Sequence, residues 1–206
     1  PSGRYGIGKI LGRTSRFNLY MCALKEGNQG ILKIARTTDY NGLLDREAMV
    51  LSDMAREAIR LEEEYARVKE DKDLMLNYQI CFPHLVESFI APTQEDRRVS
   101  VLTFPVIKDI GTLVPLGHLA SRDHARVDRK TSAWMMGKLL KMLVFVHSQG
   151  ISINEVTGDN ILIEREQHYV MVFDWTLATI HPGDIPHDIT REDISRGAVE
   201  IIRALG

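Results

Sequence analysis

Between residues 35 and 43 the hydrophobic period of the chain changes, and that switch limits the folds open to it. Residues 5 to 35 alternate apolar and polar in "YGIGKILGR", "FNLYMCALKEG" and "GILKIAR", with turn signals at Gly12 and in "KEGNQG". Alternation of this kind puts one face of a strand on a core, so three strands in a meander are expected. From residue 43 the apolar positions recur at helical spacing instead, as in Leu44, Leu51, Met54 and Ala58. "RLEEEYARVKEDKD" then continues as a charged, exposed helix or a helical hairpin. Strand patterns return in "HLVESFIA" and "RVSVLTFPVI", joined by the polar turn "PTQEDRR". A small antiparallel sheet carrying one main helix accounts for this half, an α+β arrangement.

The second half reads differently. A connector near Pro105 to Leu116 leads into a mainly helical region from about residue 112. "TSAWMMGKLLKMLVFVHSQG" is expected to be an amphipathic helix opened by Thr131 or Ser132 and closed by Gly150. Two short strands follow, "NILIE" and "VMVFDW", separated by a turn at "REQHY". After the loop "HPGDIP", the helix "REDISRGAVEIIRALG" ends the chain. The 206 residues suffice for one domain or two small lobes sharing a cleft.

Bulk properties exclude several function classes. A net charge of −2 and a pI near 6.4 give no global field toward nucleic acid or an anionic membrane. No apolar run approaches the roughly 20 residues of a membrane span, and no signal peptide opens the chain. Two cysteines, Cys22 and Cys81, sit in apolar contexts and read as buried thiols of a reducing compartment. A cytoplasmic protein that binds neither nucleic acid nor membrane is the expectation. The chain opens on Pro1, so it reads as a processed or partial sequence.

Four residues stand where chemistry is needed. Lys33 lies within the alternating strand "GILKIA", and Glu47 occupies the apolar stripe of the next helix. An unpaired carboxylate there is costly to bury, and a Lys33–Glu47 pair across strand and helix explains both. Asp174 follows a run of apolar residues in "VMVFDW", and Asn160 precedes the neighbouring strand. A carboxylate and a carboxamide at the mouths of paired strands are oxygen ligands of the kind Mg²⁺ takes, alongside substrate phosphates and water.

In that order these residues resemble the protein-kinase fold over nearly the whole chain. The resemblance implies a two-lobed architecture: a small antiparallel-sheet N-lobe (about 1–104), a hinge (about 103–111) and a truncated, mainly helical C-lobe (about 112–206). "KILGRTSRFNLYMC" resembles the Gly-rich loop, with Gly12 retained and Thr14 and Phe17 near the later glycines. Lys33 matches the lysine on the α- and β-phosphates of ATP, and Glu47 its helix partner. Leu102 falls near the gatekeeper position, with Thr103, Phe104 and Pro105 as the hinge that would meet adenine. Asn160 and Asp174 match the Mg²⁺ ligands, and Asp193 the buried acid that tethers the catalytic loop. The implied activity is transfer of the γ-phosphate of Mg²⁺·ATP to a hydroxyl, with a protein Ser/Thr favoured over a small-molecule acceptor.

The sequence departs from that pattern at the catalytic loop. The His-Arg-Asp triplet of the family is Ile153-Asn154-Glu155, which leaves Glu155 as the base, five residues before Asn160. Thr157 replaces the lysine usual two places after the base, and Asp159 reads as a loop-surface residue. Arg13 and Arg16 could restore charge near the phosphates, although exposure to solvent is the expectation for both. These substitutions keep a second reading open, a pseudokinase that binds nucleotide or scaffolds without turnover. His181 and His187, with Asp184 and Asp188, are metal-capable residue types without a motif spacing. Trp134 and Trp175 read as core or cleft-wall aromatics.

Overall fold

The computed structural model describes residues 5–24, 27–68, 76–166 and 169–205. Its first element is the expected meander: β1 (Gly6–Arg13), β2 (Phe17–Ala23) and β3 (Gln29–Ala35), all antiparallel. The chain then enters α1 (Asn41–Val68), a single long helix rather than a hairpin, whose buried face holds Leu44, Glu47, Leu51 and Met54. Residues 69 to 75 of the expected charged stretch lie outside the described residues, as do parts of the "KEGNQG" and "REQHY" turns. β4 (His84–Ala91) and β5 (Arg97–Thr103) return to the sheet, which has the order β1-β2-β3-β5-β4. The longest strand-to-strand connection is filled by α1, which packs on β4 and β5.

The connector after β5 is more structured than the sequence announced. It contains β6 (Leu113–Pro115), which pairs with β8 (Ile161–Glu164), followed by the short helix α2 (Leu116–Ser121). α3 (Arg129–Ser148) starts two residues earlier than expected. Its N-cap is Asp128, whose carboxylate accepts from the backbone amides of Lys130 and Thr131 and from the Thr131 hydroxyl. Thr131 therefore lies inside the first turn, supporting a stronger cap instead of being one. β7 (Ile151–Ser152) follows α3, and β9 (Tyr169–Val172) completes a three-stranded sheet of order β6-β8-β9. β10 (Thr179–Ile180) pairs with β7, and α4 (His187–Ala204) begins four residues before the expected Arg191.

The molecule is therefore α+β, with an antiparallel sheet and one long helix in the N-terminal half and a mainly helical C-terminal half. One continuous apolar cluster joins them: Leu51, Met54 and Leu102 from the first with Met142, Phe145 and Val172 from the second. Both cysteines are free and buried, and burial pushes each thiol up to about 11, so they act as packing residues. Trp175 is fully enclosed against Phe82, while Trp134 is half-buried on α3. Among the described residues no helix is long and apolar enough to cross a membrane.

The loop ahead of β8 is seated on α2 through two glycines. The Gly117 amide donates to the Gly158 carbonyl at 2.8 Å. A Cβ on Gly158 would lie 2.9 Å from the Gly117 Cα and 2.7 Å from Glu200 Oε2. The glutamate can swing away, but the backbone cannot. Gly158→Ala is expected to destabilise the protein by about 1–3 kcal/mol through overpacking. Urea unfolding should show a lowered midpoint at unchanged slope.

Candidate functional site

Three elements from distant parts of the sequence converge on Lys33. β3 delivers its side chain to the interior, where Nζ lies 2.9 Å from Glu47 Oε1 on α1 and 3.0 Å from Asp174 Oδ1 beyond β9. Lys33 is fully buried, with Nζ 4.8 Å from the centroid of the Phe17 ring and 5.4 Å from that of Phe173. An ammonium ion in such surroundings survives only because carboxylates and aromatic faces replace its water. Burial works to strip its proton, but the charges of Glu47 and Asp174 outweigh that, and the pKa of Lys33 is raised.

The two carboxylates respond in opposite ways. Burial raises the pKa of Glu47, against the lowering effect of Lys33, and its Oε2 is buried with no hydrogen-bond partner among the described residues. Its Oε1 carries the work, accepting from Lys33 and, at 3.0 Å, from the backbone amide of Trp175. Burial also pushes Asp174 upward, yet Lys33 and the Thr176 hydroxyl and amide more than offset it, and its pKa is lowered. Lys33 and Thr176 therefore favour the charged form of Asp174. Glu47 aligns the lysine and anchors the chain one residue after Asp174.

Asn160 binds the loop to this centre. Its amide nitrogen donates to the carbonyls of Glu155 at 2.7 Å and Asp174 at 3.0 Å, and its oxygen accepts from the Asp174 amide. The sequence placed Asn160 and Asp174 at neighbouring strand mouths, and in space they are hydrogen-bonded. Asp193 on α4 holds the other end. Its carboxylate accepts from the amides of Ile153 and Asn154 at 2.9 and 3.0 Å, and it faces His147 Nε2 at 3.1 Å. Sequence reading missed Asn154. Its φ of 64° is left-handed, a conformation asparagine tolerates better than most residues, and its side-chain amide donates to the Leu177 carbonyl and the Thr179 hydroxyl. An Asn immediately before the candidate base was the available signal.

Glu155 faces the sheet half. Arg16, in the β1–β2 turn, donates through one guanidinium nitrogen to both carboxylate oxygens, at 3.1 and 3.3 Å. The expectation of two solvent-exposed arginines holds for Arg13 alone; Arg16 is half-buried, held to the loop before β8 by this ion pair. Gly12 pairs with Leu19 in the β1–β2 ladder, and a Cβ there would make only an ordinary contact, so the fold itself does not demand glycine. Phe17 is wholly buried beneath the turn. Thr157 uses its carbonyl to accept from the amides of Asn160 and Ile161, and Asp159 is exposed.

The residues expected to form the hinge divide by direction. Leu102 is fully buried in β5, opposite Ile31 and Leu85. Thr103 closes that strand opposite His84, and the Phe104 ring is buried against Phe173, 6.3 Å between centroids. His181 shares a 2.9 Å hydrogen bond with the Ser152 hydroxyl, and the histidine–aspartate loop forms no metal cluster among the described residues.

Lys33→Met is expected to destabilise the protein by roughly 3–5 kcal/mol, because it leaves two carboxylates in a closed space without their cation. Adding Glu47→Leu should recover part of that loss, and denaturant unfolding of the four proteins of the cycle measures the coupling. Acid pH probes the same cluster. A carboxylate whose folded pKa lies below its unfolded value contributes stability above about pH 4, and loses it as pH falls through the folded value. Stability should therefore fall less steeply below about pH 4 in Asp174→Asn than in the wild type, a difference that unfolding midpoints across the acid range would read.

No protein-family model matches the chain. Among solved structures, the chain is similar to the autoinhibited serine kinase domain of the giant muscle protein titin, with a TM-score of 0.61 and 16% identity. The match covers 88% of this chain and 48% of that one, so this chain spans about half its length. At that identity the likeness speaks to architecture alone: the chain has a protein-kinase-like fold.

Proposed function

We propose that the protein is an ATP-dependent phosphotransferase, transferring the γ-phosphate of Mg²⁺·ATP to a hydroxyl group. The observation that carries this reading is the Lys33 ammonium held between Glu47 and Asp174. A buried cation kept charged beside an ionised carboxylate serves no packing purpose that a leucine would not serve better. It suits a site that receives phosphate oxygens on the lysine and a cation on the aspartate. The hard oxygens of Asp174 and Asn160 fit Mg²⁺, which takes one or two protein ligands and completes its shell from phosphates and water. When bound, Mg²⁺ neutralises charge on the phosphates.

The residues of the chain then have distinct tasks. Lys33 orients the phosphates, and Glu47 holds Lys33. Gly12 and the backbone from Leu102 through Thr103 to Phe104 border the nucleotide. Glu155 takes the proton of the acceptor hydroxyl as the new oxygen–phosphorus bond forms and the bond to ADP breaks. The acceptor that the sequence resemblance favours is a protein serine or threonine, with a small-molecule alcohol as the other candidate, and the proposed location is the cytoplasm. Two observations favour a second reading, nucleotide binding without turnover: the Glu155 carboxylate is already paired with Arg16, and Thr157 brings no charge.

Two measurements decide. At about 100 times its dissociation constant, Mg²⁺·ATP adds about 2.7 kcal/mol to the folded state, which raises the melting temperature by roughly 5–10 °C. The proposal expects that rise to require Mg²⁺, together with transfer of radiolabelled γ-phosphate to generic acceptor proteins that drops at least about 100-fold in Asp174→Ala. Stabilisation without transfer establishes the binding module instead. No stabilisation and no transfer overturn both readings.

A further inference from the structure

The turn between β1 and β2 is built to present one side chain. Thr14 Oγ1 accepts from the amides of Arg16 and Phe17, the Thr14 amide donates to the Phe17 carbonyl, and Arg36 donates to the Thr14 and Arg16 carbonyls. The buried Phe17 ring anchors the turn beside Lys33, and the Arg16 guanidinium lies 6.0 Å from that ring's centroid. Arg16 thus reaches the catalytic loop from a fixed base and meets the Glu155 carboxylate.

The acceptor hydroxyl must lie between the base and the phosphorus it attacks. A group in contact with the Glu155 carboxylate is consequently one small atom group from the transferring phosphoryl. The charge at that point is poorly covered. Lys33 is already committed to two carboxylates, and residues 155 to 160 carry no cation. Arg196, behind the loop, donates to the Asn154 carbonyl and pairs with Glu192. A guanidinium fork binds carboxylate and phosphate with the same geometry, so one can replace the other as its partner.

Resting on the reading of this cleft as a nucleoside-triphosphate site, we propose that Arg16 is a γ-phosphate ligand that exchanges partners. It pairs with Glu155 when no triphosphate is bound and moves to the γ-phosphate when one arrives, which frees Glu155 to accept the hydroxyl proton. The turn then supplies the charge that Thr157 does not. No covalent change accompanies the exchange.

Binding alone tests this, without turnover. Isothermal titration of the full chain in Mg²⁺ would compare ADP with a non-hydrolysable ATP analogue. Arg16→Ala is expected to weaken the analogue by roughly 10- to 100-fold, the worth of a charge-assisted hydrogen bond, and to leave ADP within about twofold. Arg16→Lys should recover part of the loss, and Arg13→Ala, at the exposed end of β1 beside the turn, should match the wild type. Glu155→Gln removes the competing partner, so it should tighten the analogue about three- to tenfold, and only when Arg16 is present. Equal losses for both nucleotides, no change, or tighter analogue binding by Arg16→Ala would each overturn the partner exchange while the nucleotide site stands. Wild-type protein that binds neither nucleotide would bring down the proposed function and this inference together. Unfolding curves for each variant separate a lost contact from a lost fold.

Discussion

The rest of the site depends on one buried amine. Taking Lys33 out of water costs several kcal/mol unless carboxylates surround it, so β3, α1 and the segment after β9 must meet wherever it sits. Each partner is placed by a different force. Glu47 is carried inward by the apolar stripe of α1, Asp174 by the strand-like run that buries Val170, Met171 and Val172, and Lys33 by the alternation of β3. Packing brings the elements close, and the charges then settle their relative positions. The same contact ties the two halves of the molecule together, because the Trp175 amide also donates to Glu47.

A second hub holds the loop before β8 from behind. Asp193 satisfies two consecutive backbone amides that the turn at Asn154 would otherwise leave unpaired. Asn160 does the same from the front, bridging the carbonyls of Glu155 and Asp174. Between these clamps Glu155 is held by its backbone, while its side chain is held by Arg16. A backbone fixed at both ends and a carboxylate held by one ion pair are what the proposed partner exchange with Arg16 requires.

Much of this was legible in the residues. Period alone located the sheet strands, α1 and the two main later helices, because one buried face leaves a regular imprint on sequence. Lys33 and Glu47 announced each other, since each is out of place without the other. Boundaries were less legible. The start of α3 at Asp128 was decided by which side chain reached the free amides, and β6 became visible only as the partner of β8. Three residues offer too little alternation to read alone. Arg16 looked like any exposed arginine, because nothing local shows what stands opposite it.

By itself, then, the sequence determined the main strands and helices, which apolar faces must be buried, and which polar residues needed a partner. Those are properties of short windows, set by periodicity and by the cost of desolvating a charge. Tertiary structure alone decided that Lys33 pairs directly with Asp174 as well as Glu47, which backbone amides, Asn154 among them, Asp193 takes, and that Arg16 reaches Glu155. These pairs lie 141, 39 and 139 residues apart in the chain. At such separations no local pattern carries the information, and only the packing of whole elements brings the groups within hydrogen-bonding distance.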